Sequence, residues 1–477
     1  RSTLFPYTTL FRSSTDVRSG RSLLFSEAVI DSRQLINGTL FVALTGEKTD
    51  GHSYVTEAFR KGALAALVSR PIDGTRALDL RSGSAVPEDQ VPEAPFCILV
   101  EDPLLALQKI AAWHRSQLKL TVIGITGTVG KSTTKELIWE VASRSFMTLK
   151  NSGNLNNEIG LPLTLLHAGK GHEAAVLEMG FYVPGEIKLL CDIARPQIGV
   201  LTNVGTVHAE RAGSIENIAR GKSELVAELP ADGVAILNYD DPYVLPMRGV
   251  TKAAVLTYGL DNRADLWADE IESFGLDGIR FRLHSGSETF QIRVPLIGRH
   301  SVHTALRAIA VGRALKMRWE EIFRGLDNGQ SQLRMSVMMS REGAMIIDDT
   351  YNASPDSVIA ALDLLDEIHN EKATNAKKIA ILGDMRELGQ YEIQGHRAVG
   401  QRAAQSCDEL IAVGRSAREI VFAAVNAGMK PEKIKWFATV AETIEYVELR
   451  KFAEGETVLV KGSRSLQMEQ IIAIMES

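Results

Sequence analysis

The sequence predicts an α/β protein of three domains: a small N-terminal α/β domain, a central P-loop domain on a parallel sheet, and a C-terminal doubly wound, Rossmann-like domain. Three observations carry that prediction. The 477 residues are too many for one core at about 150 residues per domain. Short continuous apolar runs alternate with helical stretches, as in strands buried on both faces of a parallel sheet. A turn rich in glycine, followed by Lys and Ser, lies between one such run and a helix.

Residues 1–13 stand apart. The chain opens without Met, and Thr3-Leu4-Phe5 recurs as Thr9-Leu10-Phe11 in a stretch bounded by Ser and Arg, so this segment is expected to be a non-native leader. Residues 14–102 form the expected first domain, with candidate strands at Thr39 to Leu44 and Ala63 to Val68. Residues 71–95, mixing Pro, Asp, Glu and Ser without period, are expected to be an exposed excursion. The second domain, 103–318, carries candidate strands at Leu120 to Thr126, Ala174 to Met179, Ile198 to Asn203 and Val234 to Asn238, closed by a helix near His303 to Leu315. The third, 319–477, carries them at Ala344 to Asp348, Lys378 to Leu382, Leu410 to Val413 and Val458 to Lys461.

Composition excludes several functions. Net charge is −6, from 59 acidic and 53 basic residues, so no electrostatic footprint for nucleic acid is present. Cys97, Cys191 and Cys407 are far apart and odd in number, which argues against a disulfide framework and for a reducing, cytoplasmic compartment. No apolar run reaches the roughly 18 to 20 residues of a membrane span.

Chemistry concentrates at strand ends. In Gly124-Ile125-Thr126-Gly127-Thr128-Val129-Gly130-Lys131-Ser132-Thr133, the glycines let backbone N–H groups converge on phosphate oxygens. The following helix N-terminus adds positive potential and Lys131 a point charge, while Ser132 offers a hydroxyl to Mg²⁺. Counted from Gly124, the spacing is one residue longer than the general P-loop pattern. The run Asn151 to Pro162, with Asn154, Asn156 and Asn157, reads as a loop, lining a site or simply exposed. Glu178 ends one strand and His208 follows another, where open α/β sheets carry ligands. Glu178 reads equally as a Mg²⁺ ligand or a surface acid. Lys222, on a helix, reads by itself as a solvated lysine.

Taken together these motifs resemble the Mur ligase superfamily, from about Asp31 to Met475. The resemblance implies that Gly127, Thr128, Gly130, Lys131, Ser132 and Thr133 clamp the phosphates of ATP. It implies Mg²⁺ held by Ser132, Glu178, His208 and Lys222, the last carbamylated by CO₂, with Lys131, Glu178, His208 and Lys222 as the catalytic set. Arg334 and Asp349 would join the ATP site. The expected arrangement is one crevice shared by Lys131, Ser132, Glu178 and His208, faced by Asp349.

The strings Asp348 to Ser357, Ile381 to Gly389 and Val458 to Ser465 look like the branch that adds D-alanyl-D-alanine to UDP-N-acetylmuramoyl-tripeptide. That implies a monomeric, ATP-dependent amide ligase of peptidoglycan synthesis working through an acyl phosphate. Asn154, Asn156, Asn157, Tyr351, Asn352 and Ser354 would line the substrate sites. Asp31, Ser32 and Arg33, with the Gly46 to His52 loop, would form the UDP-sugar handle. One departure is visible: the family's Gly-x-His-Asn-x-x-Asn near adenine reads Gly298-Arg299-His300-Ser301-Val302-His303-Thr304, keeping His300 but placing hydroxyls at Ser301 and Thr304. Alternatives are a sister ligase adding diaminopimelate or lysine, a folylpolyglutamate synthase-like ligase, or a non-catalytic nucleotide switch.

Overall fold

The computed structural model describes residues 3–4, 24–46, 49–82, 90–327, 335–368 and 376–476. Its contacts divide into two units: Arg1–Val122 with Phe146–Met179 and Lys188–Pro196, and Ile123–Ser145 with Gly180–Ile187 and Gln197–Ser477.

In chain order the first sheet comprises β1 (Ala28–Val29), β2 (Leu40–Val42), β3 (Ala65–Val68), β4 (Ala77–Asp79) and β5 (Phe96–Leu99). It runs β1-β2-β3-β5-β4, all parallel. Helix α1 (Val55–Arg60) packs its Val55 and Ala58 into the core beneath Phe41, Ala66 and Val68. The stretch expected to be an excursion contributes β4. Its burial alternates, as on an edge strand, and three residues are too few to show a period in sequence. Of the expected leader, Thr3–Leu4 form a two-residue antiparallel ladder with Leu24–Phe25, and the rest lies outside the described residues.

Helix α2 (Pro103–Ser116) starts where Asp102 accepts from Leu104 N and Leu105 N with Pro103 in the first turn. Then come β6 (Thr121–Thr126), α3 (Lys131–Ala142), β7 (Thr148–Lys150), α4 (Gly160–Leu166), β8 (Ala174–Glu178), α5 (Glu186–Ala194) and β9 (Ile198–Leu201). In the first unit β7 and β8 pair in parallel.

In the second unit β9 pairs in parallel with β6 and with β10 (Val234–Asn238), which pairs with β11 (Ala254–Gly259). Between β9 and β10 lie α6 (Ala209–Ala212) and α7 (Ile215–Ala227). The sheet continues through β12 (Leu266–Ser273), β13 (Ile279–Ser285) and β14 (Glu288–Val294), the last pairings antiparallel. These outer strands alternate buried and exposed residues along much of their length, because one face meets solvent, and so lack the apolar runs that mark the inner strands. Helices α8 (Ser301–Ala314) and α9 (Trp319–Asp327) follow.

The C-terminal sheet runs β15-β16-β20-β17-β18-β19: β15 (Ser336–Met339), β16 (Met345–Asp348), β17 (Lys377–Gly383), β18 (Glu409–Val413), β19 (Ile434–Phe437) and β20 (Glu456–Lys461). Only β15 is antiparallel. One face carries α10 (Pro355–Glu367), α11 (Glu392–Ser406) and α12 (Arg418–Asn426). The other carries α13 (Val440–Arg450) and α14 (Glu469–Glu476), the doubly wound arrangement expected. Among the described residues no helix is long and apolar enough to cross a membrane.

Candidate active site

The turn between β6 and α3 is built from glycines and held by the end of β9. A Cβ at Gly127 (φ 149°) would lie 1.8 Å from Thr202 Oγ1, so only glycine fits. Gly130 caps α3 at φ 81° with no side-chain cap. Thr202 Oγ1 donates to Val129 O at 2.7 Å. The Asn203 amide grips the same residue, accepting from Val129 N at 2.9 Å and donating to Val129 O at 3.2 Å. Thr128 Oγ1 accepts from Gly205 N at 2.8 Å. Gly127, Thr128 and Val129 are thus fixed by the segment Thr202 to Gly205 before any phosphate arrives. Lys131 Nζ donates to Gly127 O at 2.9 Å and Thr128 O at 3.1 Å, and Ser132 and Thr128 are buried.

Lys222 is not a solvated lysine. Its side chain is 1% exposed, and Nζ donates to Gly127 O, the carbonyl that Lys131 also uses, at 2.8 Å. The ammonium lies 4.8 Å from the Phe181 ring centroid. Gly221 makes room, since a Cβ there would meet Phe181 at 2.0 Å. Burial, then the charge of Lys131, push the Lys222 pKa well below the ordinary lysine range.

His208 sits at φ 68° just before α6. Its Nδ1 is 2.6 Å from Glu387 Oε2, and the Tyr182 ring stands edge-on at 4.9 Å. Burial lowers its pKa; the Glu387 carboxylate opposes this, while Lys131 and Lys222 add to it. Lys131, Lys222 and His208 therefore share one electrostatic environment.

Glu178 belongs to the first unit and is buried, which removes its reading as a surface acid. Its Oε1 accepts from Asn156 Nδ2 at 2.9 Å, and its backbone is bracketed by the amide of buried Asn151. Asn157 Oδ1 accepts from Gly160 N at the start of α4, and Asn154 is exposed. Of the asparagine run, Asn156 thus holds the Glu178 carboxylate and Asn151 its backbone, while Asn157 fixes the start of α4.

In the C-terminal region Asp349 is paired with Lys461 at 2.6 Å, and Lys461 Nζ also donates to Asn352 O at 2.9 Å. Tyr351 is exposed. Ser354 caps α10 in a reciprocal box with Ser357, a structural role. Arg334 lies outside the described residues.

The hydroxyls at the departure from the family pattern turn inward: Ser301 Oγ donates to Ile297 O at 2.7 Å, and Thr304 Oγ1 accepts from Arg307 at 2.8 Å. His300, just before α8, is exposed. Arg307 was not among the expected residues, yet a Cβ at Gly130 would meet its guanidinium at 3.4 Å, which places this buried cation beside the phosphate turn. Asn203, Lys461 and Glu387 were likewise missed, although each stands inside a string singled out in the sequence.

At the N-terminus Arg33 lies bidentate on Asp31 and holds that carboxyl down at about 2. Ser32 O accepts from Lys61 Nζ at 3.0 Å. His52 has both ring nitrogens engaged, Nδ1 by Asp50 and Nε2 by Ser69, so it is a core histidine; Glu47 and Lys48 lie outside the described residues.

The donor set suits a magnesium nucleotide. Mg²⁺ takes one or two carboxylates, waters and substrate phosphates at oxygen. Within the second unit Ser132 supplies a hydroxyl oxygen beside the phosphate turn, and Lys222 would supply oxygen only as a carbamate.

Three family models match the chain in tandem: "Mur ligase family, catalytic domain" over residues 26–114, "Mur ligase middle domain" over 125–312, and "Mur ligase, glutamate ligase domain" over 333–464. The UDP-N-acetylmuramoyl-tripeptide--D-alanyl-D-alanine ligase of Bacillus subtilis is 34% identical over 93% of this chain and 91% of its own. A crystal structure of MurF from Acinetobacter baumannii superposes with a TM-score of 0.82 at 32% identity, covering 95% of this chain and 94% of that one. MurF ligase from Thermotoga maritima in complex with ADP gives 0.78 at 27% identity, covering 94% and 97%.

Proposed function

The chain belongs to the Mur ligase family, and from that premise we infer that it joins D-alanyl-D-alanine to UDP-N-acetylmuramoyl-tripeptide in peptidoglycan synthesis, cleaving ATP to ADP and phosphate. The observation that carries the reading is near full-length similarity to enzymes of that name, with the nucleotide turn intact at Gly127, Gly130 and Lys131.

The chemistry follows from the residues. The tripeptide carboxylate attacks the γ-phosphorus of ATP, the bond to the β-phosphate oxygen breaks, ADP leaves, and an acyl phosphate forms. The dipeptide amine then attacks the acyl carbon, loses a proton, and phosphate departs from the new amide. Because the N–H groups of Thr128 and Val129 are spent on Asn203, the backbone N–H groups of Gly130 to Thr133 at the start of α3 would cradle the nucleotide phosphates, and Lys131 would swing from its loop carbonyls onto them. Bound Mg²⁺ would neutralise phosphate charge, with Ser132, His208 and Lys222 as its protein donors in the second unit.

Lys222 suits that role because burial favours its neutral amine. The nitrogen lone pair adds to CO₂, a proton is released, and the carbamate replaces a cation by an anionic oxygen ligand. Asp349 and Lys461 hold the loop bearing Tyr351 and Asn352, where the dipeptide would enter. The divisions 14–102, 103–318 and 319–477 would bind UDP-sugar peptide, ATP and dipeptide respectively. We place the protein in the cytoplasm as a monomer, in keeping with its three unlinked cysteines and small-molecule substrates.

A purified-protein screen of amine acceptors tests the assignment. ADP release driven by D-alanyl-D-alanine, and by neither diaminopimelate nor lysine, is expected; release driven by either of those would transfer the chain to a sister ligase.

A further inference from the structure

Glu387 is used by none of the chemistry above, yet it makes the shortest contact to His208 and comes from 179 positions away in sequence. Of the seven non-glycine residues with positive φ among the described residues, His208 (68°) and Glu387 (65°) are two, and they face each other. Left-handed backbone is disfavoured for residues with a Cβ and persists where surrounding contacts enforce it, often at functional sites. Here those contacts are visible. Glu210 N donates to Glu387 O at 3.4 Å, and Gln390 Nε2 donates to Gly213 O at 3.4 Å. A Cβ at Gly389 would lie 3.0 Å from Glu210 backbone, so the segment after Glu387 lies flush on α6. Tyr182 stands edge-on to the ring and is itself under the Arg211 guanidinium at 4.7 Å.

A neutral imidazole has one N–H and one lone pair, and the partner of one nitrogen decides the role of the other. A carboxylate accepts only, so the nitrogen facing Glu387 must carry the proton. We propose that Glu387 is a positioning residue: it fixes His208 as the Nδ1–H tautomer and so leaves Nε2 as the unprotonated nitrogen available to the nucleotide-bound metal. The C-terminal region thereby completes a centre built by the phosphate turn. The assignment rests on the reading of His208 as a metal ligand.

The test compares wild type with Glu387→Ala, Glu387→Gln and His208→Ala. In the unliganded protein labelled with ¹⁵N-histidine, the His208 resonances, identified by their loss in His208→Ala, should report Nδ1–H in wild type and Nε2–H in Glu387→Ala. Glu387→Gln, whose amide oxygen still accepts, should keep the wild-type tautomer. The kcat of Glu387→Ala should fall on the order of 10- to 100-fold, the usual effect of losing a carboxylate behind a metal-bound histidine, with the dipeptide KM unchanged and Glu387→Gln largely rescuing. An Nε2–H tautomer in wild type, or an undiminished kcat in Glu387→Ala, overturns the proposal. Undiminished kcat in His208→Ala refutes the ligand reading instead. Glu387 is 39% exposed, so the substitutions leave the core intact, and unchanged thermal melting confirms it.

Discussion

Helices α3 and α10 both begin just beyond the carboxyl end of a parallel strand, and they begin in opposite ways. The first turn of any helix leaves backbone N–H groups without intrahelical partners. At α10 the protein answers from within: Ser354 and Ser357 cap each other's backbone, and Pro355 removes one N–H altogether. At α3 the cap is Gly130, with no side chain to compete for the N–H groups, and the turn before it is braced from outside by Thr202 and Asn203. A serine cap closes a helix for stability, whereas a glycine cap braced by a neighbouring strand keeps it open to an anion. The same contrast separates Lys461, which holds Asp349 in place, from Lys131, which sits on loop carbonyls that a phosphate would replace.

Substitutions can break that contrast. The largest effect belongs to Gly127→Ala, whose methyl would collide with Thr202 and displace the turn; a shift of about 1 Å there costs on the order of 10²-fold in rate. Steady-state phosphate release measures it, and a wild-type rate would mean that the glycine is not needed for the turn's shape. Ser354→Ala should act on stability instead, by about 1 kcal/mol for a lost cap, seen as a lower melting temperature with kcat unchanged. A fall in kcat at undiminished melting temperature would move Ser354 from scaffold to substrate contact.

The smallest effect sharpens the comparison through pH. In the capped helix α2, His114 is buried with Nε2–H donating to Ala168 O, and burial lowers its pKa below the usual histidine value. Between that lowered pKa and about 6.5 the unfolded chain binds the extra proton, so stability rises with pH across this window and is fully regained above it. Melting temperature should fall as pH drops from 7 to 5, and less steeply in His114→Gln. Equal slopes would remove His114 from the account.

The phosphate turn was legible because its function lives in local backbone geometry, which glycine spacing reports directly. Inner strands were legible for a similar reason, their apolar runs being a one-dimensional signal. Strands β12 to β14 were not, since half-exposed strands joined by antiparallel pairings interleave polar residues. Lys222 looked solvated because its burial depends on Gly221 admitting Phe181, a contact between residues 40 positions apart. Arg33 looked available for a diphosphate, but a neighbouring acid two residues away captures its fork. Glu387 stood in a recognised string without a role, because only folding brings it to His208.

If this turn drives ligation with ATP, phosphate release reports it most directly. Wild type should release phosphate only when ATP, UDP-N-acetylmuramoyl-tripeptide and D-alanyl-D-alanine are all present, and Lys131→Ala should lose on the order of 10²- to 10³-fold of that rate, as when one preorganised charge donor is removed. Equal release from both proteins, or release that ignores the dipeptide, would contradict the account.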